Sequence, residues 1–186
     1  EGTVQTYMES VHHQFVSTMA NLESLATHSQ AMYRDYWDGR KYNVSAKSKF
    51  ADKSYVILAN DNRGRMTALV ERLDAQGIEM FTNDAPLKVA RATTQLGSEE
   101  RGFTIPEGSL IIPNRQPDAP LVAAILEFDA EVRKSVLVEE RQRTLRDGSS
   151  LMYDTTAWNF SMMYGLPAVT VPEHLNQGLQ PWRSAA

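Results

Sequence analysis

The chain has 186 residues, of which 42% are hydrophobic and 23% charged, enough for one globular domain with a buried core and too apolar for a disordered tail. A net charge of −4 gives no electrostatic case for nucleic acid or an anionic membrane surface, and no apolar run reaches the ~20 residues that span a bilayer. No cysteine is present, which removes disulfides, thiolate zinc sites and every cysteine nucleophile. The first residues, EGTVQTYMES, carry no signal-peptide pattern and no initiator methionine, which suggests a processed chain or an excised fragment.

Residues 9–38 contain neither Gly nor Pro, and Val11, Phe15, Met19, Leu22 and Leu25 recur at steps of three or four. That is the helical period, and it predicts one long amphipathic helix stopped by Gly39. Residues 40–53 are polar and basic and read as a linker. SYVILAND (54–61) is a short apolar run that fits a buried parallel strand with polar residues at its carboxyl end. A helix over 64–77 with Gly77 as its stop and a second strand over 78–83 complete a βαβ unit, which predicts a parallel pair.

Residues 84–108 read as irregular, with RGFTIPEGSLIIP (101–113) as a short ribbon turning at Pro-Glu-Gly, and 109–113 as a third strand ended by Pro113. Residues 118–148 read as helical over most of their length, with Asp118 as cap and Pro120 in the first turn. A last helix lies in TAWNFSMMYGLP, capped by Asp154 or Thr155 and ended by Gly165. AVTVP (168–172) is a final strand, and 173–186 is a frayed tail. The expected fold is a three-layer α/β domain over 54–172, with a small, mostly parallel sheet, preceded by the long helix.

Of the four histidines, His12, His13 and His28 lie on that helix and His174 in the tail. Glu9 and His13 share a helix face, but two ligands do not make a zinc site, so a solvated pair is the better reading. No Gly-x-Ser-x-Gly elbow is present, so Ser–His–Asp chemistry has no support. Two polar loops are the site-like features. Asn60, Asp61, Asn62 and Arg63 follow the first strand, and Asn114, Arg115 and Gln116 follow the third. In a parallel sheet these would converge on its carboxyl edge as a ligand or interface site, against the plainer reading of capped turns. Asn43-Val44-Ser45 and Asn159-Phe160-Ser161 match the glycosylation sequon, and the apolar neighbours of the second argue against its use. Met and aromatic residues at helical spacing in WNFSMMY point to a packing helix.

The strings HHQFVSTMANLESL, YVILANDNRGRMTALVERLDAQGIEMF, EGSLIIPNRQPDAPLVAAILEFD and YDTTAWNFSMMYGLP, in that order, resemble the region that follows the catalytic domain in large bacterial zinc carboxypeptidase-like proteins, of the carboxypeptidase A type. The match covers most of residues 7–168, and IIPNRQP together with Tyr153, Asp154, Thr156 and Trp158 are its most specific parts. The resemblance implies a class I glutamine amidotransferase-like, flavodoxin-like fold without the amidotransferase reaction, which needs a cysteine.

The family's zinc motif, His-x-x-Glu, has no counterpart here, because His12, His13, His28 and His174 are followed three residues on by Phe15, Val16, Ala31 and Gln177. The resemblance therefore implies a non-catalytic carboxyl-terminal accessory domain, with residues 1–39 ending or extending from a missing peptidase domain. That domain is the expected partner in cis, with a homodimer through helix 9–38 as the second partner. No cofactor is expected in this chain; zinc, and export from the cytoplasm, are expectations for the parent protein. The alternative function is a small-molecule or peptide binding module using the carboxyl edge of the sheet.

Overall fold

The computed structural model describes residues 6–128, 132–150, 152 and 159–182. The chain forms two compact units, Glu1–Tyr42 and Asn43–Ala186.

The first unit is essentially one helix, α1 (Tyr7–Asn43), about 55 Å long at 1.5 Å per residue. Its start is a reciprocal capping box. Glu9 Oε2 accepts from the Thr6 N–H and from Thr6 Oγ1, each at 2.8 Å, and Thr6 Oγ1 accepts from the Glu9 N–H at 3.2 Å. These bonds hold the Glu9 carboxyl below its usual range, the Thr6 backbone N–H being the larger cause. Gly39 does not stop the helix. It lacks the positive φ of a helix-ending glycine, and α1 runs on four residues past it. Arg40 and Lys41 in the last turn suit the negative end of the helix dipole, and the Arg40 guanidinium lies 4.5 Å from the centre of the Tyr36 ring one turn back.

The second unit is built on seven strands: β1 (Ser54–Ile57), β2 (Phe81–Asn83), β3 (Leu87–Thr94), β4 (Glu99–Ile105), β5 (Leu110–Pro113), β6 (Ala168–Val171) and β7 (Leu179–Pro181). They form a single curled half-barrel sheet in the order β4-β3-β6-β1-β5-β2-β7, and every pairing is antiparallel. The flavodoxin-like, mostly parallel three-layer expectation is therefore wrong. β1 and β2 are joined by α2 (Arg63–Asp74), as a βαβ unit requires, but β5 lies between them and runs against both.

The reason the strands misled is burial. β1, β5 and β6 are buried at every position, like strands of a parallel sheet. On one face, Tyr55, Ile57, Leu110, Ile112 and Ala168 pack with Leu69, Val70 and Leu73 of α2 and with Val122 and Leu126 of α3 (Ala119–Leu126). On the other face no helix is involved among the described residues. Val56, Ile111, Val169 and Val171 are covered by Val89, Ala92 and Ile105 from β3 and β4. The curl of the sheet supplies the second cover that a helical layer supplies in an α/β fold.

The β3–β4 hairpin occupies most of the segment expected to be irregular over 84–108, and the expected ribbon over 101–113 does not form, since β4 pairs with β3 while β5 pairs with β1 and β2. Its turn, Gln95–Leu96–Gly97, is closed by Thr94 N–H to Ser98 O at 2.9 Å, with Gly97 at φ +82° in the left-handed region. The stretch expected to be helical over most of 118–148 holds two helices, α3 and α4 (Lys134–Asp147), with residues 129–131 outside the described residues. Asp118 takes the N-cap position of α3. α5 (Phe160–Met163) is capped by Asn159; Asp154 and Thr155, the expected caps, lie outside the described residues. Asn159 Oδ1 accepts from the Met162 N–H at 2.9 Å, and Gly165 at φ +60° follows the helix. Both sequon asparagines are buried, Asn159 in that cap and Asn43 donating to Pro117 O at 2.8 Å, so neither is presented as a glycan acceptor. Part of the supposed tail is sheet, since β7 pairs with β2. Among the described residues no helix is long and apolar enough to cross a membrane.

Candidate functional site

The antiparallel pairing of β1 with β5 separates the two polar loops. Ile57 faces Leu110 and Ser54 faces Pro113, so the loop after β1 lies where β5 begins, and the loop after β5 lies where β1 begins. Ala59 N–H donates to Ser109 Oγ at one end, and Asn114 N–H donates to Lys53 O at the other. Two loops that would share an edge in a parallel sheet sit at opposite ends here.

The first loop is a capped turn. Asn60 Nδ2 donates to Leu58 O, Asn60 Oδ1 accepts from the Asn62 N–H, and Asn62 caps α2 by accepting from the Arg65 N–H. Asp61 O accepts from the Arg63 N–H, and both side chains are exposed. The second loop is structural at two of its three positions. Gln116, 2% exposed, accepts from the Glu79 N–H at 2.9 Å and donates to Pro113 O at 2.8 Å and Glu79 O at 3.4 Å, clipping the approach to β2 onto the end of β5. Asn114 is fully buried, and neither of its amide atoms has a hydrogen-bond partner. Tyr153, Asp154, Thr156 and Trp158 lie outside the described residues.

Arg115 is the exception. Its guanidinium bonds Asp52 at 3.3 Å and lines a cleft of about 330 Å³ with Glu79, Phe81, Pro113, His174 and the 175–179 segment. His174 is held there by its neighbours. Ser54 Oγ, at the start of β1, donates to Glu173 O at 2.8 Å and accepts from the Leu175 N–H at 3.0 Å, so one buried hydroxyl clamps both sides of the histidine. Burial lowers the His174 pKa first and the Arg115 charge lowers it further, while Asp52 opposes them. Arg115 Nε and His174 Nδ1 are both shut off from solvent, with no hydrogen-bond partner among the described residues. A sequence reading that placed His174 in an exposed tail could not have found this cleft. The hint was the Leu-rich HLNQGLQP after β6, which supplies Leu175 and Leu179 to the second core face.

A second polar cluster sits at the end of α3. Lys53 Nζ pairs with Glu127 Oε2, the Tyr55 hydroxyl donates to the same oxygen at 3.2 Å, and the Phe128 N–H donates to Glu127 Oε1 at 3.0 Å. Burial pushes the Glu127 carboxyl up, and the Lys53, Phe128 and Tyr55 contacts more than offset it, leaving it below its usual range. The Tyr55 phenol is pushed well up by burial and by the carboxylate beside it.

As for metals, Glu9 spends its carboxylate on the α1 cap, and no group of three His, Asp or Glu side chains able to hold an ion occurs among the described residues. The residues present do not fit a peptidase zinc site, and no hydrolytic step is assigned to them. No protein family, curated protein or solved structure matches the chain.

Proposed function

We propose that this chain is a non-catalytic accessory module of a zinc metallocarboxypeptidase, with α1 as the surface that meets the peptidase domain. The observation that carries the reading is the uncovered apolar seam of α1. Met8, Val11, Phe15, Leu22, Leu25, Met32 and Tyr36 fall on one stripe of the helix, and each is 46–79% exposed. A helix whose apolar face is bare draws its stability from whatever covers that face, and an apolar stripe of this length, broken only by Thr18 and Ser29, marks an interaction surface. The resemblance of the sequence to the region after a peptidase domain supplies the partner. Zinc and the bond-breaking chemistry then belong to that partner.

The test is to add the peptidase domain in trans and follow amide exchange along α1 together with peptidase kinetics. Protection of α1 supports the reading; unchanged exchange and unchanged kinetics refute it.

A second reading rests on the spacing itself. Met8, Phe15, Leu22 and Tyr36 share one heptad position, and Val11, Leu25 and Met32 the other, which is the seam of a two-stranded coiled coil. It predicts a homodimer through α1 that Leu22→Glu dissociates. A monomer mass at every concentration in sedimentation equilibrium excludes it. The binding-module alternative loses its carboxyl edge, since antiparallel strands have none, and of the residues first assigned to it Arg115 is the one that lines the cleft beside β5.

A further inference from the structure

We propose that the cleft between the end of β5 and the 174–179 segment binds a small monocarboxylate with an apolar body, the carboxylate meeting Arg115 and His174. This inference does not depend on α1 docking to a peptidase domain.

The walls are fixed before any ligand arrives. Gln116 holds the backbone at Glu79 on one side, and Ser54 holds the backbone on both sides of His174 on the other. Such prior fixing lowers the entropy cost of binding. The polar end of the cleft has unused capacity. The Arg115 guanidinium spends one bond on Asp52, whose carboxylate is 79% exposed, and its Nε is enclosed with no partner. Guanidinium is planar and forked and matches a carboxylate with two parallel N–H donors. His174 Nδ1 is likewise enclosed and unpartnered on the same lining. Arg115 and His174 thus bring a cationic and an imidazole side chain to the same lining, where an anionic oxygen can meet them.

Beside Glu79 and Asn176, the rest of the lining is apolar. Phe81, Pro113, Leu175 and Leu179 offer a surface for an aryl or alkyl body, and about 330 Å³ lies at the small end of ligand pockets. Glu79 on the same lining repels a second negative charge, so a monocarboxylate is favoured over phosphate or a dicarboxylate.

The test uses the whole chain with ¹⁵N-labelled histidine, titrated with 3-phenylpropionate, with 3-phenylpropanamide and with inorganic phosphate. The expected result is saturable movement of the His174 ring signals by the carboxylate, at a Kd on the order of 1 mM, and none by the amide or by phosphate. Arg115→Gln weakens binding roughly tenfold or more, while Arg115→Lys, which keeps the charge and loses the fork, falls between it and the parent. Asp52→Asn frees Arg115 from its exposed competitor and tightens binding. Thermal unfolding of each variant separates loss of the site from loss of the fold. Absence of saturation, equal binding of the amide or phosphate, or indifference to both Arg115 substitutions in folded protein overturns the proposal.

Discussion

Gln116 ties two strand ends together with one amide. It accepts from the Glu79 N–H and donates to the Pro113 and Glu79 carbonyls, and almost none of it reaches water. Gln116→Ala leaves those backbone groups without partners in a closed space and is expected to cost about 2 kcal/mol. Urea unfolding measures this, and a loss within error of zero would mean that water replaces the amide. Acidification acts on two other residues. The His174 pKa is lowered from 6.5, so below that pH the unfolded chain takes up a proton that the folded chain resists, and stability falls. The Glu127 pKa is lowered from 4.5, so its contribution is present above that pH and is lost as pH falls through its folded value. Stability is therefore expected to decline in two steps on the acid side. His174→Gln should flatten the upper step and Glu127→Gln the lower; a single step unchanged by His174→Gln would refute the assignment.

At the scale of elements, α1 and the β3–β4 hairpin mark where local pattern succeeds and where it fails. The apolar period of α1 is visible in the sequence because the helix carries it without tertiary help. Gly39 was read as a stop because glycine so often ends helices, yet it sits in helical backbone with nothing within 4 Å of a Cβ added there. Gly39→Ala is accordingly expected to stabilise α1 by about 0.5–1 kcal/mol. Helicity against temperature checks this, and destabilisation would restore the stop. The hairpin was missed for the opposite reason. β4, EERGFTI, is polar along most of its length, and its outermost place in the sheet leaves most of it exposed. An edge strand in water has little apolar signal to offer, and charged residues there also blunt edge-to-edge association.

For the whole molecule, both core clusters of the second unit draw only on residues after Asn43. A chain of residues 43–186 should therefore unfold cooperatively at nearly the transition temperature of the second unit in the full protein. Calorimetry decides it, and a missing transition would show that the sheet depends on α1. The hydrophobic runs SYVI, LIIP and AVTV, the α2 periodicity and Gly165 were all legible, because burial, helical period and positive φ are written into residue types.

Pairing direction was not legible. A strand buried on both faces reads the same whether helices or the curl of its own sheet cover it, so residues 54–57 and 110–113 suggested parallel neighbours and proved antiparallel. That one fact relocated the candidate site. The sequence by itself determined which segments are apolar, that a long helix opens the chain, and that no cysteine or His-x-x-Glu motif is carried. Only the tertiary structure decided that Asn60–Arg63 and Asn114–Gln116 lie apart, and that His174 comes to rest beside Arg115. Both depend on contacts between residues 50 to 121 positions apart, such as Ser54 with Leu175, which no local pattern encodes.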